Sequence, residues 1–483
     1  MNPRPPLRFL GYLTLLLAAT ELAPALCAAA YREWDAVIAF LISALVTALV
    51  GAMMVGLGSS KGQVFRREGI LIVVGGWVLA SVFGAFPYLL TDTFGHPMDA
   101  LFESASGFTT TGASIMTDIE AAGRGILFWR SFTQWLGGMG IIVLFVALLP
   151  ELGPGARFLY KLEVPGPTAE AFQPRIHDTA ALLWKIYLAL TAIESGLLML
   201  AGLDLYDALT HTFSTMSTGG FSPRNASVGA FDSPLVQIII IVFMILAGTN
   251  FSLFFFGFRQ KRRWNLYRDP EFRLYIHILA GASLLVMWDL LRTGAYTKPL
   301  RAMLDAVFQT VSIATTTGFA TTDFDAWPVL GRMLLVGLMF VGGCAGSTAG
   351  SMKVMRMVIG LRSAVREMRL IFSPNTVISV FVGGKAVPDS VVRSVAGFFI
   401  LYLSIWGVGT LLLAVSGPDL VTCATASAAT IGNIGPGLGA VGPTGNYAFF
   451  DSWDKGLMIL LMWLGRLEIY SIAAIFTRAF WRT

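Results

Sequence analysis

Charge is scarce in this chain, and so are the residues that most often carry chemistry. Only 13% of its 483 residues are charged, with 3 cysteines and 4 histidines; ordinary soluble domains carry about 25% charge. Cys27, Cys344 and Cys423 lie far apart in apolar or Gly-rich stretches, which excludes a disulfide framework or thiolate metal site. The histidines have no ligand spacing, which excludes a catalytic zinc. No apolar stretch gathers His, Cys or carboxylates into a reactive cluster, so a membrane-embedded enzyme is not expected, nor a cofactor held by this chain. The net charge of +5 is spread too thinly for a nucleic-acid partner.

What the chain has instead is apolar length. Hydrophobic residues make up 55% and mean hydropathy is +0.70, the signature of an all-α integral membrane protein surrounded by lipid. Runs long enough to cross, about 20 residues, occupy 36–60, 69–91, 131–150, 234–258, 333–352 and 394–418, with weaker ones at 7–30, 179–203, 274–291 and 455–480. The first of the weaker runs also resembles a signal peptide ending in Cys27-Ala28-Ala29-Ala30, but Glu21 and Pro24 suit a retained helix better. Placing the N-terminus in the cytoplasm puts 23 Lys and Arg on the inside and 9 on the outside, with Lys185 and Arg466 within helices. Both termini are therefore expected to be cytoplasmic.

Between the long runs lie shorter apolar pieces that repeat. They begin D-A-L-F-E-S-A-S-G at Asp99, D-A-L-T-H-T-F-S-T at Asp207, D-A-V-F-Q-T-V-S-I at Asp305 and D-L-V-T-C-A-T-A-S at Asp419. Thirteen positions after each Asp stands a Gly: Gly112, Gly220, Gly318 and Gly432. Asp is a strong N-cap, so each piece is expected to be a short helix starting at its Asp, with the negative end of its dipole turned into the membrane. The segments that follow are Thr110-Thr111-Gly112, Thr218-Gly219-Gly220, Thr316-Thr317-Gly318 and Thr430-Ile431-Gly432-Asn433. Irregular backbone survives at that depth only when buried in protein or lining a watery cavity. A ring of four such loops offers carbonyl oxygens that replace a cation's water shell.

Four helix, short helix, helix units follow, bounded at 69–150, 151–258, 259–370 and 371–483, behind two extra helices in 1–68. Four parallel repeats argue against a secondary solute symporter, which would show inverted repeats. Arg466 lies inside the last helix, two positions from Glu468, a spacing that does not share a helix face; it is read as facing the pore or as anchored to backbone. Glu103 and Glu194 are assigned to structural hydrogen bonding. Gly342, Gly343, Gly346 and Gly350 interrupt a helix just before Lys353, either for close helix packing or as a gating loop; a phosphate loop would need G-K-[ST], which is absent.

These stretches, with W-R-S-F-T-Q-W-L-G-G-M-G at 129–140, G-G-C-A-G-S-T-A-G-S-M-K at 342–353 and G-R-L-E at 465–468, resemble the TrkH branch of the Trk/Ktr/HKT superfamily of potassium transport proteins. The resemblance implies a pseudo-fourfold pore for K+ in a bacterial inner membrane, filter glycines at Gly112, Gly220, Gly318 and Gly432, and a gating loop at 342–353. It also implies a pore-facing Arg466, a homodimer, and a cytosolic nucleotide-binding subunit of the TrkA or KtrA type. Potassium is the favoured ion because all four glycines are present; a less selective Na+/K+ transporter of the same superfamily is the alternative. Uniport and symport with protons or sodium both fit these residues.

Overall fold

The computed structural model describes residues 3–59, 65–140, 176–254 and 265–481. Parts of the expected runs at 131–150 and 234–258 lie outside these, as do Lys61, Arg157, Lys161, Arg175, Arg259, Lys261, Arg262, Arg263 and Arg482. Apart from one short hairpin (Val380–Val382 with Lys385–Val387), the regular structure among the described residues is helical. Two helices precede the repeats: a broken one, α1 (Arg4–Thr20) with α2 (Leu22–Ala30), and α3 (Trp34–Leu57). The first repeat holds α4 (Arg66–Gly84), α5 (Phe86–Leu90), the short α6 (Pro97–Phe108) and α7 (Arg124–Gly138). The second holds α8 (Ile176–Leu200), the short α9 (Leu205–Met216) and α10 (Pro234–Ala247). After α11 (Asn265–Arg268), the third holds α12 (Pro270–Arg292), the short α13 (Pro299–Ala314) and α14 (Val329–Met339). An amphipathic α15 (Val354–Phe372) and the hairpin lead to the fourth: α16 (Asp389–Leu413), the short α17 (Leu420–Gly432), α18 (Ser452–Arg466) and α19 (Ile469–Ile475), then α20 (Arg478–Trp481).

Among the described residues, six helices or joined pairs are long and apolar enough to cross a membrane. The lipid-facing sides are visible as exposed large apolar residues, such as Leu41, Leu45 and Leu49 on α3 and Ile400, Leu403 and Leu411 on α16. The short helices are the opposite case. Along α9 every residue from Thr210 to Met216 is buried, so these polar, Thr- and Ser-rich helices are enclosed by the rest of the chain.

Their arrangement is cyclic. The helix after each short helix packs against the short helix of the next repeat: α7 on α9, α10 on α13, α14 on α17, and α18 back on α6. Four repeats therefore close on themselves around one axis, the pseudo-fourfold architecture expected from the sequence.

Two further expected helices are broken. The run at 333–352 is helical only to Met339, because Gly342, Gly346, Ser351 and Lys353 adopt φ of 75°, 74°, 60° and 70°, which no α-helix accommodates. The run at 455–480 turns by 118° between α18 and α19, where Glu468 has φ 60°. The short helices also start earlier than their aspartates: α6 and α9 begin two residues before Asp99 and Asp207, and α13 six before Asp305. Only Asp419 is itself an N-cap, accepting from the Thr422 N–H.

At the first helical layer, α1 lies so close to α3 that a Cβ on Gly11 would sit 2.7 Å from the Val55 nitrogen and 2.8 Å from the Gly51 oxygen. Both are backbone atoms, so relief requires separating the helices. Gly11→Ala should cost about 1–3 kcal/mol, read as a lower thermal midpoint of the purified protein; an unchanged midpoint would mean the two helices are not held at this distance.

Candidate ion pathway

Each short helix ends in the same way. In a Schellman cap, a residue in the left-handed region follows the last turn, and the next N–H bonds back five residues to a helix carbonyl. Here the left-handed residues are Thr110, Thr218, Thr316 and Asn433, with φ of 56°, 55°, 59° and 53°. The returning bonds run from the N–H of Thr111, Gly219, Thr317 and Ile434 to the carbonyls of Ser106, Ser214, Ser312 and Ala429, at 2.9, 2.8, 2.8 and 2.9 Å. Asn tolerates this conformation, whereas a β-branched Thr pays roughly 1–2 kcal/mol for it. Three strained threonines are therefore held by their surroundings.

Two residues after each comes a glycine with positive φ: Gly112 (77°), Gly220 (75°), Gly318 (81°) and Gly435 (97°). These four form a ring. A Cβ on Gly112 would lie 2.0 Å from the Gly219 carbonyl oxygen, on Gly220 1.9 Å from that of Thr317, on Gly318 2.0 Å from that of Ile434, and on Gly435 2.9 Å from that of Thr111. Each loop touches the next, and the fourth touches the first. No side chain fits at the first three contacts, and all four glycines open onto one cavity on the side to which the chain returns.

The fourth loop corrects the expected register. Thr430, Ile431 and Gly432 lie in the last turn of α17, not in the ring, and Gly435 takes the place assigned to Gly432. The cause is the N-cap: Asp419 corresponds to His96 and Asp204, which cap α6 and α9, not to Asp99 and Asp207 three residues on. Gly435 follows its cap by the interval that separates Gly112 from His96 and Gly220 from Asp204. Asn433 is in the ring as expected, as the counterpart of Thr110, and its Nδ2 donates to Thr111 Oγ1 at 2.9 Å, joining the fourth loop to the first.

Behind the ring, each short helix braces the strand that leaves its glycine. Glu103 accepts from Ser114 Oγ at 2.9 Å and from the Ile115 N–H at 3.0 Å. At the same position His211 bonds Ser222 Oγ at 3.0 Å, and Gln309 Nε2 donates to Thr321 Oγ1 at 3.3 Å. The fourth repeat has Ala426 there, and neighbouring Thr425 accepts from the Leu438 N–H at 2.9 Å instead. Arg130 Nε donates to Glu103 at 2.6 Å, with both side chains buried, and Gln134 bonds Gly219 O and the Phe221 N–H at 2.7 and 3.0 Å. Glu103 thus has the structural role read from the sequence. Glu194 is different: it is fully buried and neither carboxylate oxygen has a hydrogen-bond partner among the described residues.

Beneath the ring the chain from Gly342 to Lys353 touches the second, third and fourth repeats. Thr348 Oγ1 donates to the carbonyls of Met216 and Ala247 at 3.1 and 3.2 Å, and the Gly350 N–H donates to Thr316 Oγ1 at 2.7 Å. A Cβ on Gly350 would meet the Gly432 oxygen at 2.3 Å. Arg466 ties this segment to the first repeat, donating to Thr348 O at 2.9 Å and to the carbonyls of Gly137 and Gly138 at 2.5 and 2.7 Å. Lys353 is buried with its ammonium on Ala349 O, and Arg356 pairs with Glu468. Gly346, Gly350, Lys353 and Arg466 all line a second cavity, under the ring; Gly342 and Gly343 fold back against Gly350 and Ala349.

Residues 38–482 match the family model TrkH, described as a cation transport protein. The chain belongs to the TrkH family. It is 42% identical over 493 residues to the Trk system potassium uptake protein TrkH of Vibrio parahaemolyticus and 39% over 487 residues to that of Halomonas elongata, covering the whole of both chains in each case. The crystal structure of the potassium transporter TrkH from Vibrio parahaemolyticus superimposes with a TM-score of 0.90 at 40% identity, again over the whole of both chains. Among sites not foreseen from the sequence, Gly435 was signalled by Asn433, a residue suited to positive φ, and Gln134 and His211 by nothing local.

Removing one partner of a buried ion pair leaves the other charge stranded, at a cost of about 3–5 kcal/mol. Arg130→Met should therefore sharply lower folded yield and thermal midpoint in detergent, and Glu103→Gln added to it should recover part of the loss. A single variant as stable as the parent would mean the pair does not support the first loop.

Proposed function

We propose that the chain mediates potassium uptake across the bacterial inner membrane through the ring of four loops, as a channel-like pore with both termini cytoplasmic. The observation that carries this reading is the closed cycle of glycine against carbonyl, which gathers four loops at the ends of four short helices. Backbone oxygens from four loops substitute for the water shell of a large monovalent cation. The negative ends of four helix dipoles favour a cation at the same level. The likeness over the full length to Trk system potassium uptake proteins supports potassium as the ion. The residues in this role are Thr110, Thr111, Gly112, Thr218, Gly219, Gly220, Thr316, Thr317, Gly318, Asn433, Ile434 and Gly435.

The test is competition uptake of potassium against sodium. Gly112→Ser puts a Cβ on an occupied carbonyl at positive φ, and should lower the preference for potassium at least about tenfold, or 1.4 kcal/mol. Gly435→Ser should act in the same direction, and Gly432→Ala, whose Cβ meets mainly the movable Ile434 side chain, should leave the preference near the parent's. An unchanged preference in folded Gly112→Ser and Gly435→Ser would remove the ring from the ion path.

The segment 342–353 serves as the gate and Arg466 as its latch and barrier. A cation passing within about 6 Å of a guanidinium at an effective dielectric near 20 meets a repulsion of roughly 3 kcal/mol, and the same group pins Thr348 to α7. Arg466→Gln should raise potassium flux per folded protein, with folding checked by size-exclusion chromatography; equal or lower flux from well-folded protein would contradict this role. Opening is governed by a cytosolic nucleotide-binding subunit of the TrkA type, on a homodimer of this chain, docking at the basic α15. There Arg362 and Arg366 already bond Phe381 O and Asp389, which leaves the exposed Arg369 as the contact.

A further inference from the structure

The four loops differ at the residue whose N–H closes the Schellman cap. It is Thr111 in the first loop, Thr317 in the third and Ile434 in the fourth, but Gly219 in the second. The three side chains are fully buried. Each threonine pairs with a hydroxyl two residues back, Thr111 with Thr109 and Thr317 with Thr315, both at 2.8 Å. The second loop keeps a hydroxyl at Ser217 but has no side chain to meet it. Backbone conformation does not require the glycine: Gly219, unlike Gly220, is not at positive φ, so a side chain is conformationally allowed there.

Space requires it. A Cβ on Gly219 would lie 2.4 Å from Gln134 Cδ, 2.6 Å from its Oε1 and 2.7 Å from its Nε2. The amide of Gln134, reaching in from α7, stands where the second loop's own side chain would be. Gln134 is itself fully buried. Its Nε2 donates to the Gly219 carbonyl and its Oε1 accepts from the Phe221 N–H, so one planar group grips the chain on both sides of Gly220. The carbonyl it holds is the one that Gly112 packs against, and the same Nε2 would be 3.7 Å from a Cβ on Gly112. An amide supplies the donor and the acceptor that this place needs; a carboxylate supplies only acceptors and an aliphatic chain neither. Of the carbonyls of Thr111, Gly219, Thr317 and Ile434, that of Gly219 alone receives a side-chain hydrogen bond among the described residues.

We propose that Gln134 is a positioning residue for ion selection: it replaces the side chain that the second loop lacks and fixes the aim of the Gly219 carbonyl. This rests on the potassium reading above and adds to it a residue outside the four loops. Selection by carbonyls depends on how many dipoles face the ion and how firmly they are held. Releasing one of four loosens the site and lowers its preference for the larger ion.

Competition uptake of potassium against sodium, measured per folded protein across a double-mutant cycle, tests this. Gln134→Leu, close in size but without either hydrogen bond, should lower the preference for potassium at least about fivefold. Gly219→Thr alone drives a side chain into the Gln134 amide and should lower it by a similar factor. Gln134→Ala combined with Gly219→Thr rebuilds the pattern of the first and third loops, with the new hydroxyl beside Ser217, and should return the preference to within about threefold of the parent's. General damage to the protein would lower uptake of both ions alike and would not be repaired by the second change. Gly219→Ala, the smaller insertion to use if Gly219→Thr folds poorly, should cost more beside Gln134 than beside Gln134→Ala. Parent-like preference in folded Gln134→Leu, a double variant no better than Gly219→Thr, or equal costs of Gly219→Ala in both backgrounds would overturn the proposal. If Gly112→Ser lowers the preference and the Gln134 variants do not, this inference fails and the potassium reading stands; unchanged preference in the ring-glycine variants ends both.

Discussion

The close approach of a glycine in one loop to a carbonyl in the next is the constraint on which the rest of this molecule depends. Three of the four contacts leave 1.9–2.0 Å between an added carbon and the facing oxygen, so the loops are spaced by backbone alone. Everything around them serves that spacing. The Schellman caps set the exit angle, Glu103, His211, Gln309 and Thr425 brace the outgoing strands, and each following helix holds the short helix of its neighbour. Such interlocking is how three threonines can be kept in the left-handed region: the surroundings outweigh the strain.

The polar interior follows from the same need. A short helix with its carbonyl end buried inside a membrane protein has orphan acceptors; the N–H groups of the caps take several of them, and hydroxyls add second bonds to the last turn. Thr109, Thr315 and Thr430 each bond back to the carbonyl four residues earlier. The crossing segment below the ring takes up further carbonyls, at Met216 and Ala247 through Thr348 and at Gly137 and Gly138 through Arg466. The guanidinium lines the cavity beneath the ring and clasps the first repeat to the crossing segment, which is the backbone anchorage that was one of the two readings open from the sequence.

Much of this was legible in the residues. The four repeats, the short buried helices, the broken glycine-rich segment and three of the four loops follow from apolar run lengths and from the Asp-to-Gly interval. In the fourth loop the interval points one turn too early, because Asp419 and Gly432 reproduce it by coincidence, while the true equivalents are the cap and Gly435. Local pattern fixes a helix start only through its cap, and Asp419 is a cap where Asp99 and Asp207 are not. The bracing partners were beyond reach for a different reason: Glu103 with Arg130, Gln134 with Gly219, and Arg356 with Glu468 join residues 27, 85 and 112 positions apart, which only packing within and between the repeats brings together.

The central claim is that cations pass along the axis of the ring formed by Gly112, Gly220, Gly318 and Gly435. Anomalous diffraction from crystals of the protein grown in rubidium or thallium salts tests it most directly. The account predicts anomalous density on that axis, at the level of the Thr111, Gly219, Thr317 and Ile434 backbone. Density centred at the level of Gly432 instead, or none on the axis while ions are bound elsewhere, would contradict it.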